Sequence, residues 1–123
     1  MGTPWPRMGT IKMELVIEEL ADGVTRAALK GRLDIDGAAA VDQGLRNLAG
    51  GRRRLVLDLT DVTFVASMGL RTLIVCARTM LVNGGKMAIV GAQPNVDRVL
   101  AVSGVGQVMT IMPSLEAAVA SMR

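Results

Sequence analysis

The chain of 123 residues contains no histidine and no tyrosine, and its only aromatic side chains are one tryptophan and one phenylalanine. Without histidine, a Ser-His-Asp triad, a Cys-His pair and histidine metal ligation are all impossible within this chain. The single cysteine, Cys76, excludes an intramolecular disulfide and is typical of a reducing compartment. Its position in a helical segment favours a small apolar filler over a nucleophile. We therefore expect no enzymatic activity and no bound cofactor.

Long apolar runs and a secretory signal are also missing. The longest uncharged run, residues 99–115, contains two glycines and Pro113 and is shorter than the roughly 20 residues of a membrane helix. The first residues lack the apolar stretch of a secretory signal, so we expect a cytoplasmic protein without membrane insertion. The cluster Arg52-Arg53-Arg54 lacks accompanying aromatic residues, which favours a solvated loop over a nucleic-acid site.

Half of the residues are hydrophobic, and the length suits one domain with a core of Val, Leu, Ile, Ala and Met. Residues 1–12 include Thr3-Pro4-Trp5-Pro6 and show no periodicity, which predicts a flexible N-terminal tail. Met8 and Met13 are equally good alternative start residues. Residues 13–123 are then the single domain.

Within this domain, strand patterns alternate with helical patterns in the order ββαβαβαβα. The first two strands, residues 14–20 and 24–30, form a hairpin, and Leu55 to Leu57 is a central strand covered on both faces. The order predicts an α/β fold whose mostly parallel sheet begins with an antiparallel hairpin and is packed by about four helices. The helices are predicted from Val41, Leu45 and Leu48, from Ser67 onward, from Pro94 to Ser103-Gly104, and from near Ser114.

The strongest functional signal lies between Leu55 and Leu73. Here a buried-strand pattern runs through a polar turn into Ser67-Met68-Gly69 at the start of an amphipathic helix. A hydroxyl at that point lies beside unpaired backbone N–H groups and the positive end of the helix dipole, so an attached phosphate would be tolerated. A serine there would equally serve as an N-cap with no further role. Position alone leaves both interpretations open.

The pattern as a whole resembles the STAS domain of bacterial anti-sigma factor antagonists, and the resemblance extends over residues 13–122. It implies the STAS fold, which agrees with the order of elements. The segments that carry the resemblance are Gly31-Arg32-Leu33-Asp34, Ala66-Ser67-Met68-Gly69-Leu70, Gly84-Gly85-Lys86 and residues 94–104.

The resemblance implies that Ser67 is phosphorylated by an anti-sigma factor that is itself a serine kinase. The unphosphorylated form would bind this kinase and release a sigma factor. The kinase would bind the ATP, because no Walker-type loop is present here, and a serine phosphatase is a further implied partner. Ala66 stands where phosphorylated members generally carry an acidic residue. Its lack of a carboxylate would lessen repulsion with a phosphate and would equally remove a contact for the kinase.

The resemblance also implies a partner-binding surface around the acceptor serine. Met68 and Arg71 would flank Ser67 on the first exposed turn. Asp34 would lie near Ser67, where it either contacts the partner or caps the helix that starts around Gly37. The surface implied by the resemblance consists of Asp34, Ser67, Met68, Gly69 and Arg71.

Two other interpretations are available from the sequence. Asp58 at the end of a central strand would suit the phosphoacceptor of a receiver domain, but the early acidic pair that holds Mg²⁺ there is missing. For Asp58, as for Asp36 and Asp61, an ordinary turn or cap role is favoured over metal binding. The alternative function within the resembled family is a non-catalytic STAS subunit that docks on a membrane lipid transporter and needs no phosphorylation.

Overall fold

Five strands and four α-helices lie within residues 13–107 and 109–122, the part of the chain that the computed structural model describes. The strands are β1 (Met13–Glu19), β2 (Thr25–Leu33), β3 (Arg54–Val65), β4 (Lys86–Val90) and β5 (Thr110–Met112). The helices are α1 (Ile35–Gly51), α2 (Ser67–Val82), α3 (Pro94–Ser103) and α4 (Leu115–Met122). The predicted order is therefore confirmed, and the predicted tail lies outside the described residues.

The strands form one sheet in the order β1-β2-β3-β4-β5. β1 and β2 are antiparallel, and each later pair of neighbours is parallel. The hairpin turn uses left-handed backbone at Asp22 and Gly23, with φ of 67° and 72°. Each parallel step needs a crossover, which α1, α2 and α3 supply. The predicted mixed sheet is confirmed.

The two faces of the sheet bury two unequal cores. The larger core packs α1, α2 and α3 against one face, and the smaller core packs α4 against the other. Along β3, Leu55 and Leu57 point into the larger core while Val56 points into the smaller one. Because β3 is covered on both faces, its apolar run is unbroken at the start, as predicted for a central strand.

Helix boundaries follow local signals in the sequence. Pro94 occupies the first turn of α3, and Gly104 ends that helix with a left-handed φ of 78°. The hydroxyl of Ser114 accepts a hydrogen bond from the Ala117 N–H at 3.1 Å and so caps α4. The predicted start near Ser114 is therefore confirmed.

The prediction of a polar turn before Ser67 is wrong, because β3 continues to Val65. Two extra residues of β3 are accommodated as irregularities in its pairing with β2, which bend and twist the strand. The partners shift from Ala28↔Asp58 to Lys30↔Asp61, and then from Gly31↔Val62 to Arg32↔Phe64.

The second half of β3 extends beyond β4 and mixes buried apolar residues with exposed polar ones. The pairing with β4 ends at Asp58 opposite Val90. Beyond that point, side-chain amides of the α3 start take the place of a neighbouring strand. Gln93 Nε2 donates to the Thr60 carbonyl and Asn95 Nδ2 donates to the Thr63 carbonyl, each at 2.9 Å.

Candidate functional site

The starts of α1 and α2 meet at one end of the sheet, where the neighbouring parallel strands β2 and β3 finish. Asp34 is the N-cap of α1 and Ala66 is the N-cap of α2. The two ends are joined because the Ala66 N–H donates a hydrogen bond to the Leu33 carbonyl at 3.0 Å. Asp34 and Ser67, each next in the chain to one of these joined residues, therefore belong to one surface.

Ser67 occupies the first helical position of α2 and is not its N-cap. Ala66 has extended backbone, with φ −100° and ψ 176°, and its carbonyl accepts the first helical bond from the Leu70 N–H. The interpretation of Ser67 as a capping serine is therefore wrong, because the bond to Leu33 places the cap one residue earlier. The Ser67 side chain is exposed, and its hydroxyl forms no hydrogen bond with another residue that the structure describes.

Gly69 allows this close approach of α2 to β2. A Cβ atom at Gly69 would overlap the Leu33 carbonyl oxygen and lie 2.6 Å from the Leu33 Cγ. Gly37 occupies the equivalent third position of α1, where a Cβ would overlap the Arg32 carbonyl oxygen. Gly69 is buried, so its role is to let α2 pack closely against β2, while Ser67 and Met68 remain exposed.

A groove between α1 and α2 opens next to Ser67. Its volume is about 570 Å³, and Met68 and Arg71 both line it. Met68 is 44% exposed and Ile35, on the opposite wall, is 67% exposed. The remaining lining residues are Ala38, Ala39, Asp42, Arg46, Thr72 and Val75. The predicted pair Met68 and Arg71 thus lies on one accessible, largely apolar depression.

Asp34 caps α1, as one of its two predicted roles requires. Its Oδ1 accepts a hydrogen bond from the Gly37 N–H at 2.9 Å, and its Oδ2 lies 3.6 Å from the Arg32 Nε. The hydrogen bond from Gly37, and secondarily Arg32, lower the pKa of the Asp34 carboxyl. This carboxylate is therefore held in its ionised form beside the Ser67 end of the molecule.

Replacing Asp34 with alanine is expected to lower the melting temperature, and asparagine is expected to restore most of the loss because its amide oxygen also caps a helix. Since the pKa is lowered on folding, the contribution of the charge is complete above the unfolded pKa of about 3.9 and is lost as the pH falls through the folded pKa. Thermal unfolding at pH 7 and pH 3 measures both effects. Equal melting temperatures for the alanine and asparagine variants would contradict the capping role.

A family model for the STAS domain matches residues 17–118, which include both helix starts and all strands except the beginning of β1. The chain belongs to the STAS domain family. This finding confirms the resemblance drawn from the sequence motifs, and the arrangement of strands and helices described above is the STAS fold.

Individual relatives of this STAS domain cover nearly its whole length. BtrV of Bordetella bronchiseptica, whose name assigns it to the anti-sigma factor antagonists, is 29% identical over 112 residues, 91% of this chain and 90% of BtrV. The crystal structure of an anti-sigma factor antagonist from Mycobacterium paratuberculosis has a TM-score of 0.81 at 26% identity, covering 91% of this chain and 95% of that one. Phosphorylated SpoIIAA from Bacillus shares the fold, with a TM-score of 0.69 at 18% identity over 89% of this chain and 100% of that one.

The STAS domain also contains a stacked pair at the site that the sequence motifs do not reveal. The Arg32 guanidinium carbon lies 4.4 Å from the centroid of the Phe64 ring, which is a cation–π contact. These residues are opposite each other only because of the two irregularities in the β2–β3 pairing. If β2 and β3 paired without these irregularities, Arg32 and Phe64 would not lie opposite each other.

Asp58 lies within β3 and is committed to an internal ion pair. Its Oδ2 is 2.8 Å from the Arg26 Nη2, and its Oδ1 accepts hydrogen bonds from the Thr60 hydroxyl at 2.5 Å and the Thr60 N–H at 3.0 Å. Burial opposes ionisation of this carboxyl, but the bonds from Thr60 and Arg26 outweigh it and the pKa of Asp58 is lowered. The carboxylate is thus held by these bonds, unlike the open phosphoacceptor of a receiver domain.

Cys76 and two arginines of the 52–54 cluster, the other candidates for chemistry, have structural roles. Cys76 is buried, and burial raises the pKa of its thiol to about 11, which suppresses the nucleophilic thiolate in agreement with the predicted filler role. Arg52 forms an ion pair with Glu19 at 2.8 Å, and Arg54 donates to the Asp22 carbonyl. Within the described residues, no three acidic or cysteine side chains could hold a metal ion together. No described helix is long and apolar enough to cross a membrane.

Proposed function

We propose that this STAS domain is an anti-sigma factor antagonist that acts by partner switching. Its unphosphorylated form binds an anti-sigma factor with serine-kinase activity and releases a sigma factor, and a phosphate on Ser67 reverses the binding. The observation that carries the proposal is the exposed Ser67 hydroxyl, which no other described residue engages. The names of BtrV and of the mycobacterial relative support this class of function.

The start of α2 suits a serine that gains and loses a phosphate. The N–H groups of the first helical turn, at Ser67, Met68 and Gly69, precede the first donor with a helical partner, Leu70. The first turn carries no acidic residue, and Ala66 adds no negative charge beside the acceptor. A phosphate would therefore meet the positive end of the helix dipole, so we expect the fold to survive phosphorylation.

The switch then acts at the interface with the partner. Phosphorylation adds a charge of about −1.5 to −2 next to Met68 and the apolar groove. A partner that covers this surface would have to desolvate the new charge or be repelled by it. Asp34, Met68 and Arg71 form the partner-binding surface in this proposal, and Gly69 supports it from below. The kinase supplies the ATP site, and a serine phosphatase regenerates the binding form.

Tagged wild-type protein recovered from its native cells is expected to carry a serine-kinase anti-sigma factor, identified by mass spectrometry. The Ser67→Asp variant is expected to retain at most about one tenth of it, a change of about 1.4 kcal/mol in binding. Ser67→Ala should bind like wild type. Arg98→Ala is the control matched in net charge, because Arg98 is exposed on α3 and forms no ion pair within the described part of the chain.

The recovered partner, incubated with ATP, should phosphorylate wild type and leave Ser67→Ala unmodified. Equal recovery of the kinase by wild type and Ser67→Asp would contradict the switch, provided that both variants show the same unfolding midpoint. Transporter subunits recovered equally by both proteins would instead support the docking function.

A further inference from the structure

The outward face of α2 carries a seven-residue repeat that continues well past Ser67. Apolar residues recur at Met68, Val75 and Val82, and arginines recur at Arg71 and Arg78. The three apolar side chains are 44%, 39% and 85% exposed, in that order. We call these five residues the α2 stripe. The stripe spans fourteen residue steps, or about 21 Å along the helix.

The α2 stripe is separate from the face that α2 buries. Leu73, Ala77 and Met80 fill the larger core on the opposite side. Between the stripe positions, the hydroxyls of Thr72 and Thr79 donate to the carbonyls four residues earlier, at 3.1 Å and 2.9 Å. These hydroxyls are therefore satisfied within the helix, and an apolar partner could cover them without leaving a donor unpaired.

The charge of the stripe is positive and unbalanced. α2 contains Arg71 and Arg78 and no acidic residue. Neither arginine forms a hydrogen bond or ion pair with residues 13–107 or 109–122. On the adjoining wall of the groove, Asp42 is already paired with Arg46 at 3.0 Å. The guanidinium groups of Arg71 and Arg78 thus alternate along the helix with three exposed apolar side chains.

We infer that the α2 stripe docks an acidic amphipathic helix of the protein partner. A repeat of seven residues drifts by about 20° per heptad on a straight helix, so a partner helix would cross α2 at about 20° in the left-handed sense. Its apolar face would cover Met68, Val75 and Val82, and flanking carboxylates would reach the two arginines. The inference rests on the proposed function only in taking the anti-sigma factor as the protein that carries this helix.

Charge disfavours the other occupants of the stripe. In an antiparallel pair of copies related by a two-fold axis at Val75, Arg71 of one copy would lie within one residue of Arg78 of the other. Residues 1–12 of the chain carry Arg7 and Lys12 and no acidic residue, so their charge repels the stripe as well. An anionic membrane would meet only two cations here, and no aromatic residue lies in α2 to anchor it.

The test compares wild type with the Arg71→Glu/Arg78→Glu variant. The matched control is Arg53→Glu/Arg98→Glu, which makes the same charge change at exposed arginines outside α2. The probes are two synthetic helices of about three heptads, with leucine at a and d and either glutamate or lysine at e and g. Fluorescence anisotropy at low and high salt measures binding, and thermal unfolding checks that every variant folds.

Wild type and the control are expected to bind the glutamate helix at least about tenfold more tightly than the lysine helix, and the α2 variant should show the reverse preference. The inference is overturned if wild type fails to bind the glutamate helix or if the α2 variant binds it equally well. The inference is also overturned if wild type self-associates or binds vesicles of anionic phospholipid and the Arg71→Glu/Arg78→Glu variant loses that binding instead.

The experiments distinguish a failure of the stripe inference from a failure of the proposed function. If the native kinase distinguishes wild type from Ser67→Asp but binds the Arg71→Glu/Arg78→Glu variant like wild type, the stripe inference is wrong and the proposed function stands. If the peptides behave as expected but wild type recovers no kinase, the stripe binds an acidic helix of a different protein and the proposed function is wrong.

Discussion

Replacing Gly69 with alanine is expected to lower the free energy of unfolding by about 3 kcal/mol. The added methyl group would overlap the Leu33 carbonyl oxygen and crowd the Leu33 side chain. Neither can retreat easily, because Leu33 is completely buried and its carbonyl already accepts the hydrogen bond from Ala66. Urea denaturation followed by circular dichroism measures the loss.

Gly50→Ala is the matched control for this substitution. Gly50 also lies in a helix, but a Cβ there would have no atom within 4 Å. Since alanine favours the helix over glycine, the control should be neutral or stabilise by up to about 1 kcal/mol. Gly37→Ala should destabilise as Gly69→Ala does, because its methyl would overlap the Arg32 carbonyl. Similar stabilities for the Gly69 and Gly50 variants would show that α2 is not held against β2 in this way.

Replacing Asp58 with alanine is expected to lower the free energy of unfolding by about 2 to 3 kcal/mol at pH 7. The change removes the acceptor for Arg26 and for both the hydroxyl and the N–H of Thr60. Among the residues that the structure describes, Arg26 would keep one charged partner, Glu18, in an exposed ion pair at 3.0 Å. The Arg26 side chain is only 26% exposed, so water replaces the lost carboxylate incompletely.

The effect of Asp58→Ala should depend on pH with a definite sign. Because the pKa of Asp58 is lowered in the folded protein, its charge stabilises fully above the unfolded pKa of about 3.9. As the pH falls through the folded pKa this stabilisation disappears, so the difference between wild type and variant should narrow. Denaturation at pH 7 and at about pH 3 measures it. Asp61→Ala, at an exposed position, serves as the control and should change stability by less than about 0.5 kcal/mol.

The order of elements was predictable from sequence because it depends on local periodicity and on residues such as Pro94 and Gly104. The length of β3 was not predictable in this way. Its second half contains exposed polar residues, and it remains a strand because it pairs with β2, while Gln93 and Asn95 bind two of its carbonyls. A contact of more than thirty residues in sequence separation leaves no trace in a local pattern.

In the candidate site too, features set by local contacts were predictable and features set by distant contacts were not. Asp34 was predictable as a cap because its partner, Gly37, is three residues away. The exact position of Ser67 in the helix was not predictable, since it depends on the bond between Ala66 and Leu33 across two strands. The exposure of Val75 was not predictable, because a single valine in a helical segment is ordinary, and the packing of the helix places it on the same outward face as Met68.

The hydroxyl of Ser67 takes part in none of the described hydrogen bonds that hold the fold together. In the proposed cycle, adding or removing a phosphate there would break none of these bonds, and the helix dipole would change the free energy of unfolding by only about 0.3 to 1 kcal/mol. Cellular proteases recognise the unfolded fraction of a protein, so both forms would be degraded at similar rates. The total amount of this protein would then stay constant while the signal changes, and information would be carried by the ratio of its two forms rather than by its abundance.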